Sequence, residues 1–418
     1  MTMTAQPMTT GVLGGRWRAD VTPWGAIAPL VEPQPTLDWH IAADDRWRSP
    51  GAEAGVVQRR LDGTAVIETR VPIPDGHVIQ RVWSVPDDGG LTIIEIENAS
   101  PLSVAIAFTH GNLLSPRPLS APIEGITLPP GSVATPIGHH ATITVALRHD
   151  GGGPGVLPRV LPPCAATVRG WLTLVERASR LLLPDVALNE RIIAARCELA
   201  LNGPPHPDDD AVGFLLAVDQ IVRMGEQPAP WVPDVAQALA LAAKGAAPDW
   251  ALAAAFDGAE RILHAAEERR AVKDLAAMRA KLRPGGELPT EPPEDDARVG
   301  AWAERWLATA TAAGAELFPD GMPGDWVSQK FEVYGVPTGP RSAVSFAVRW
   351  HGKRPAVLWE QTGPLLELTA PMVGPGWRCA DVQGEILLPE LDGLEVKVPT
   401  PVTMKVAFGR KPAGGHSH

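Results

Sequence analysis

The apolar residues between about residues 55 and 150 follow a period of two. Runs such as "HVIQRVWSVP", "LTIIEIENA" and "ATITVALRH" are rich in Val, Ile and Thr and are bounded by Pro, Gly, Asp or Asn. In the last run Ile143, Val145 and Leu147 alternate with small or polar residues, which is typical of a strand with one buried face. The "PDDGG" segment after Val85 predicts a tight hairpin loop. Several such strands with no helix between them predict an antiparallel β-sandwich.

From about residue 167 to 313 the apolar period becomes that of a helix. The first segment, "ATVRGWLTLVERASRLLL", ends before Pro184, and the next runs from a predicted N-cap, Asp185, to a predicted C-cap, Gly203. The segment "HPDDDAVGFLLAVDQIVRMGE" has so wide an apolar face that we expect its helix to be mostly buried. Residues 248–282 predict more than one helix, and residues 295–314 predict the last one. The loops between these helices are short and contain Pro and Gly, which indicates that neighbouring helices run antiparallel.

After residue 317 the period of two returns. Two rows of alternate apolar residues are predicted to be buried: Val344, Phe346, Val348 and Trp350, and then Val402, Met404, Val406 and Phe408. The expected order is β, α, β in a multidomain chain. The predicted units are a flexible N-terminal tail (1–35), a β-sandwich (36–165), a helical domain (166–316), a C-terminal antiparallel β domain (317–410) and a tail (411–418).

The composition argues against several classes of function and location. The 418-residue chain has a net charge of −11 and no run of Lys or Arg, which argues against a nucleic-acid partner or an anionic membrane surface. Its three cysteines lie far apart, which favours a reducing compartment. No stretch reaches the roughly 18 apolar residues of a spanning helix, and the first residues lack the basic and apolar regions of a signal peptide. We therefore expect a cytoplasmic protein that does not contact a membrane.

The sequence carries no convincing nucleotide, metal or hydrolase motif. P-loop, Rossmann, HExxH and GxSxG patterns are missing from any strand–turn–helix context. The run 208–210 resembles a metal cluster, but carboxylates in the first turn of a helix are favoured by its dipole, so a helix start is the better interpretation. Asp219 and His264, on apolar helices, are interpreted as interior or boundary polar residues with satisfied partners. No metal and no cofactor are expected.

The best candidate for ligand contact lies in "GDWVSQKFEVYGVPTGPRSAVSFAVRWHG". Trp326, Glu332 and Tyr334 resemble a sugar platform, in which a flat aromatic ring meets the apolar face of a pyranose and a carboxylate accepts hydroxyl hydrogens. Surrounding Gly and Pro residues place Trp326 and Tyr334 at a loop rim, whereas Trp350 is expected in the core. The alternative is an ordinary sandwich loop. We expect Trp326→Ala combined with Glu332→Gln to abolish saccharide binding without unfolding the chain.

A second polar and aromatic cluster, "DWHIAADDRWRSP", contains Trp39 and His40. Together with the acidic pair at 44–45 and Trp47 these residues could line a pocket. Alternatively, Trp39 and Trp47 anchor a terminal segment against the sheet, which is the interpretation that we favour.

The overall layout is that of some carbohydrate enzymes. Three segments follow one another as β, α and β. They are the strand-rich "RVWSVPDDGGLTIIEIENASPLSVAIAF", the helix "LLLPDVALNERIIAARCELAL" and the later "VSFAVRWHGKRPAVLWE". This order resembles the six-hairpin glycosidase superfamily, with its glucoamylase-like and maltose-phosphorylase-like members. The resemblance implies an N-terminal super-β-sandwich, a linker helix, an α/α-toroid and a saccharide substrate. Residues 166–316 supply about half of the helices of a full toroid, so a partial toroid is expected and no catalytic residue is carried over.

Three functions follow from this layout. The first is a glycosidase-like or phosphorylase-like enzyme, or a degenerate relative, for which a cleft with an acid–base pair would be evidence. The second is a non-catalytic sugar-binding protein, which an aromatic cleft without such a pair would favour. The third is a structural protein whose partial toroid is completed by a second copy, as a homo-oligomer, which a flat apolar patch on the helices would favour.

Overall fold

The computed structural model describes residues 6–31, 34–43, 46–120, 128 and 130–391. Within these ranges strands come first, helices follow, and further strands come last. The protein is a mixed α/β protein with mostly antiparallel sheets, and the predicted order of β, α and β is confirmed. The residue boundaries given above for the domains stay predictions. The apolar row at 402–408 and the acidic pair at 44–45 lie outside the described residues.

The strands before the first helix form three sheets. The described strands here are β1 (Met8–Gly11), β2 (Arg18–Val21), β3 (Ile27–Pro29), β4 (Trp39–Ala43), β5 (Arg46–Arg48), β6 (Val57–Arg60), β7 (Ile67–Ile73), β8 (Gly76–Val85), β9 (Leu91–Asn98), β10 (Val104–Phe108), β11 (Leu114–Ser115), β12 (Val133–Ile137), β13 (Thr142–Arg148) and β14 (Gly155–Val156). Their orders are β1-β2-β3, β12-β10-β4-β5 and β14-β11-β13-β9-β8-β7-β6. The predicted hairpin is confirmed, since β8 and β9 pair up to Val85 and Leu91.

Helices and a second group of strands follow. The described helices are α1 (Cys164–Val175), α2 (Val186–Asn202), α3 (Ala211–Met224), α4 (Val232–Gly245), α5 (Trp250–Ala265), α6 (Arg269–Leu282) and α7 (Asp296–Leu307). The strands are β15 (Arg180–Leu182), β16 (Ala308–Ala310), β17 (Gly314–Leu317), β18 (Phe331–Pro337), β19 (Ala343–His351), β20 (Arg354–Thr362), β21 (Glu367–Thr369), β22 (Arg378–Cys379) and β23 (Gln383–Leu387). They form two sheets, β15-β18-β19-β20-β23 and β16-β17-β21-β22.

The seven-stranded sheet is buried on one face and over part of the other. On one face Ile94 shares a hydrophobic cluster with Ile106 of the four-stranded sheet. On the other face Ala146 shares a cluster with Trp171 of α1. Ala146 is therefore buried like both its neighbours in β13. The expectation that β13 has one buried face holds at Thr142 and Thr144, which are exposed and half-buried, but not at Ala146, where α1 covers the face that alternation alone assigns to solvent.

The predicted helix signals are largely confirmed. The Asp185 carboxylate accepts a hydrogen bond from the backbone N–H of Leu188 at 2.9 Å, and Gly203 ends α2 with φ +78°. Asp210 caps α3 in the same way, so the acidic run before it marks a helix start. As predicted, α3 is buried around most of its circumference, against α2, α4, α5 and α7. None of the helices described is both long enough and apolar enough to cross a bilayer.

The first predicted helix ends earlier than its sequence suggests. The chain leaves α1 after Val175 and forms β15, in which Leu181 pairs with Val333 of β18. The prediction of helix through Leu183 was wrong because Leu181 is buried in the C-terminal core, and this tertiary contact overrides a helical propensity. Residues 308–310 were also predicted as helix but form β16, because their pairing with β17 is likewise a tertiary contact that overrides the local propensity.

The C-terminal sheet confirms part of the predicted buried row. Val344, Phe346 and Val348 of β19 are buried, but Trp350 is only half-buried at the end of the strand, where its indole N–H donates to the Gln329 carbonyl at 2.7 Å. The expectation of a core position for Trp350 was therefore only partly right: the ring packs against the C-terminal core but stays half-buried.

One irregularity interrupts β18. The register of β18 on β19 shifts between Val333 and Val336, which makes a β-bulge. Gly335, with φ +68°, lies in the bulge and donates its N–H to the Ser345 hydroxyl at 3.1 Å instead of to the ladder. Both Tyr334 and Gly335 are therefore exposed, whereas the residues on either side of them are buried.

The N-terminal sheets are joined to α2 by charged hydrogen bonds and by one close backbone approach. Arg18 donates through Nε to the Leu201 carbonyl at 2.8 Å, and Arg60 pairs with Glu198. At Gly63, where φ is +73°, an added Cβ would lie 2.4 Å from the Glu190 carbonyl oxygen. Glycine is thus required at this position for both conformation and space.

We predict that Gly63→Ala lowers the free energy of unfolding by about 1–3 kcal/mol more than Gly89→Ala does. Both positions have positive φ, but the site around Gly89 is open, so the comparison isolates the contact with α2. Urea unfolding of the two variants measures the difference. Equal losses would show that α2 does not approach Gly63 this closely in solution.

Candidate functional site

Trp326 lies in the C-terminal core. Its side chain is 6 % exposed and packs edge-on against Phe331, with ring centroids 5.4 Å apart. The expectation of a loop rim was wrong because a short turn, Gly324–Trp326, folds the indole inward. Removing it would leave a cavity that costs about 3–5 kcal/mol. The Trp326→Ala substitution is therefore unsuitable as a test that leaves the fold intact.

Glu332 and Tyr334 lie together on the outer face of β18. They are two residues apart in a strand, so their side chains point the same way. Tyr334 is 42 % exposed, and its hydroxyl donates to the Glu332 carboxylate, which also pairs with Arg349. The hydrogen bonds from Tyr334 and Arg349 hold the pKa of Glu332 below its ordinary value. This carboxylate is therefore an ionised acceptor at neutral pH.

A shallow depression of about 530 Å³ extends across the sheet from Tyr334. We call it the sheet-face depression; its outward-facing residues are Tyr334, Ser345, Ala347, Leu358, Glu360, Gln383 and Glu385. Its centre is low because Ala347, which pairs with both Glu332 and Leu358, has only a methyl side chain. On the side toward β15 the Arg180 guanidinium lies 5.7 Å from the Tyr334 ring centroid. The ring is thus supported on one side and borders the depression on the other.

Trp39 and His40 do not belong to this depression. Trp39 is 1 % exposed, and its indole N–H donates to the Trp24 carbonyl at 3.0 Å, so it anchors the N-terminal segment as the favoured interpretation has it. His40 points to the opposite face of β4, where its Nδ1 lies 2.9 Å from the Ser49 hydroxyl. Burial lowers the pKa of His40, and Asp38 opposes this effect.

A second site, which was not predicted from the sequence, lies where the helices meet the C-terminal strands. We call it the charged cavity. It has a volume of about 80 Å³ and is walled by α3, α5 and α7, by β16 and by the loop after β18. Its charged residues are Asp219, Arg223, Asp257, Glu260, Arg261, Glu304 and Arg305. Pro337 at the end of β18 and Gly339 and Pro340 of the following loop form its roof.

Glu304 is the centre of the ion pairs beside the cavity. Its carboxylate accepts hydrogen bonds from Ser179 at 2.6 Å, from Arg196 at 3.0 Å and from two nitrogens of Arg223 at 2.9 Å. Burial alone would raise the pKa of Glu304, but the charges of Arg223 and Arg196 and these hydrogen bonds hold it below its ordinary value. Glu304 is therefore ionised although its side chain is buried.

The buried Asp219 carboxylate is kept ionised in the same way. Its carboxylate accepts hydrogen bonds from Arg261 at 2.8 Å and from Arg223 at 3.1 Å. The two arginines outweigh burial and lower its pKa to about 2. The interpretation of Asp219 as an interior residue with satisfied partners is confirmed. The one sequence signal for the network is the occurrence of charged residues inside otherwise apolar stretches, such as Glu304 in "GAWAERWL" and Arg196 in "IIAARCEL".

Comparisons with known proteins do not assign the chain. No family model matches it, and a search of the curated proteins finds no match. Within the described ranges no group of three or more His, Cys, Asp or Glu residues is arranged to hold a metal ion. The two sites are therefore interpreted from their own chemistry.

We predict that Glu304→Gln lowers the free energy of unfolding by about 3–5 kcal/mol, because it leaves the charges of Arg196 and Arg223 buried without a counter-charge. The matched control is Asp296→Asn. Asp296 pairs with Arg191 at 2.8 Å but is 62 % exposed, so its loss should cost about 0–1 kcal/mol. Urea unfolding distinguishes the two, and similar small losses in both variants would contradict a buried network.

The lowered pKa of Asp219 also predicts a pH dependence. Because the folded pKa of about 2 is below the ordinary 3.8, the stabilisation is complete above about pH 4 and is lost as the pH falls toward 2. The stability difference between wild type and Asp219→Asn should shrink by about 2 kcal/mol over this range. Asp150→Asn is the control: hydrogen bonds from Arg148 and from the Gly152 N–H also lower the pKa of Asp150 to about 2, but solvent screens this exposed pair, so its change in stability should be much smaller. A pH-independent difference for Asp219→Asn would refute the assignment.

Proposed function

We propose that the protein is a non-catalytic saccharide-binding protein whose ligand lies in the sheet-face depression. The observation that carries the proposal is the exposed Tyr334 ring beside a low, flat centre. An aromatic ring offers an apolar surface to the C–H face of a pyranose, and the small Ala347 leaves space for the sugar ring. The volume of the depression lies within the roughly 300–1,000 Å³ of small-molecule sites.

Polar side chains around the depression suit hydroxyl groups. Glu332 and Glu360 offer carboxylate oxygens, and Gln383 offers both an acceptor and two donors. Such planar groups fix the orientation of a ligand that the aromatic ring holds by stacking. The resemblance to the six-hairpin glycosidases supplies the same class of ligand.

The carboxylates favour binding over catalysis. Glycoside hydrolysis requires one carboxyl group that stays protonated near neutral pH, about 5–9.5 Å from a second one. Glu332, Asp219 and Glu304 each have a lowered pKa, so none of them is suited to donate a proton. The enzymatic alternative is therefore less well supported than the binding function.

A structural role for the helices is also less well supported. Completion of a partial toroid by a second copy would require an exposed apolar face, and on the helices described Val186 is the one large apolar side chain that is exposed. The β-sandwich, the partial toroid, the cytoplasmic location and the homo-oligomer stay predictions.

The test is isothermal titration of the purified chain with a panel of mono- and disaccharides. For a sugar that binds, Tyr334→Ala should weaken the affinity about tenfold, the equivalent of about 1.4 kcal/mol, because stacking is lost. Tyr334→Phe should keep most of the affinity because the ring remains. Leu387→Ala changes an exposed residue of the same sheet outside the depression and should have no effect. Absence of binding across the panel, or equal affinity in Tyr334→Ala, would refute the proposal.

A further inference from the structure

The sheet-face depression carries negative charge that no neighbouring side chain compensates. Glu360 of β20 and Glu385 of β23 both line it and are exposed, and none of the described lysines or arginines lines it. Within the described part of the chain neither carboxylate forms an ion pair or a hydrogen bond. The Glu332 carboxylate on the same face differs, because it is paired with Arg349. The depression is therefore acidic along its β20 and β23 side.

The two unpaired carboxylates lie close enough to affect each other. Glu360 is the cross-strand partner of Gln383, and Glu385 is the partner of Leu358, so the two glutamates are diagonal neighbours on one face of the ladder. Diagonal neighbours are about 7–8 Å apart, which is within the reach of long side chains. A positive group between them would remove their mutual repulsion and attract both.

The position of Glu360 relative to Tyr334 suits one sugar ring. Tyr334 is on β18 and Glu360 on β20, and Ser345 of β19, the cross-strand partner of Glu360, lies between these strands. Neighbouring strands are about 4.8 Å apart, so the two positions are separated by roughly 10 Å at the backbone. A sugar ring that contacts the Tyr334 ring above β19 therefore has its far edge toward Glu360. Arg180 lies on the other side of Tyr334 and is paired with Glu176.

We propose that the saccharide of the sheet-face depression is an amino sugar, whose protonated amino group lies beside Glu360 and Glu385. This inference rests on the proposed function, because Tyr334 holds the sugar ring in both. An ammonium group donates three hydrogen bonds, and a hydrogen bond between ions is stronger than one between neutral groups. A neutral sugar offers the carboxylates hydroxyl groups alone. The depression therefore selects the charged ligand over its neutral counterpart.

A metal ion suits this arrangement less well. Ca²⁺ takes about six to eight oxygen ligands, whereas two carboxylates on an open sheet face supply few of them. Among the described residues no group of three or more His, Cys, Asp or Glu residues could complete such a site. An ammonium group requires fewer acceptors, and the neighbouring Tyr334 ring offers an apolar surface to the sugar that carries it.

The test is isothermal titration of the full chain at about pH 6, with glucosamine and glucose and with galactosamine and galactose. At this pH carboxylates are ionised and amines are protonated. The members of each pair differ in an amino or a hydroxyl group at one carbon atom, so the ratio of their affinities isolates the charge. We expect the amino sugar to bind about fivefold more tightly, the upper end of what an exposed ion pair provides. The ratio should fall toward one as sodium chloride is added, because salt screens exposed charges.

Glu360→Gln combined with Glu385→Gln should bring the ratio close to one, because glutamine keeps an acceptor but loses the charge. Glu291→Gln combined with Glu390→Gln is the matched control. These substitutions remove the same charge at exposed positions outside the depression and should leave the ratio unchanged.

The outcomes separate this inference from the proposed function. Equal affinity for amino and neutral sugars, weakened alike by Tyr334→Ala, would overturn the inference and leave the proposed function in place. A preference that persists without Glu360 and Glu385, or that the control pair also abolishes, would overturn it too. No binding of any of the four sugars would have the same effect, and the wider panel above then decides whether the proposed function stands.

Discussion

The buried carboxylate of Glu304 connects the parts of the chain that carry both candidate sites. It lies on α7 and accepts hydrogen bonds from Arg196 of α2, from Arg223 of α3 and from Ser179. The same arginines donate to the carbonyl groups of Ala178 and Ser179, directly before β15. The network therefore holds together three helices and the strand that begins the C-terminal sheet. Its position determines where β15 lies, and β15 in turn pairs with β18.

Burying so much charge gains little in stability, because the loss of hydration offsets most of the attraction between the ions. Its clearer effect is on geometry. Purely apolar contacts would let α3 rotate or slide against its neighbours, whereas hydrogen bonds tie Asp219 to α5, Gln220 to α2 and Arg223 to α7. We infer that the network fixes the register of the helices, and with it the wall of the charged cavity.

Alternation and helical periodicity identified most of the elements because they report burial on one face, which is a local property of the sequence. They failed where burial depends on distant residues. The "RLLL" segment has no period of its own, and it is a strand only because β18 provides a partner. Trp326 lies among residues typical of an exposed loop, and its burial depends on Phe331. The charged cavity could not be predicted, because its residues come from three helices whose packing the sequence does not specify. That Glu332 and Tyr334 lie together could be predicted, because they are two residues apart in one strand.

The bulge at Gly335 acts as a phase shift in β18. Side chains alternate strictly before it and again after it, but the two alternations are out of step by one residue. The residues before the bulge are therefore constrained by the sheet face on which Tyr334 lies. The residues after it are constrained by the roof of the cavity. A change of length in the loop at 337–340 would be absorbed on its own side of the bulge. The two surfaces of this strand are thus free to diverge independently during evolution, although a single stretch of chain builds them both.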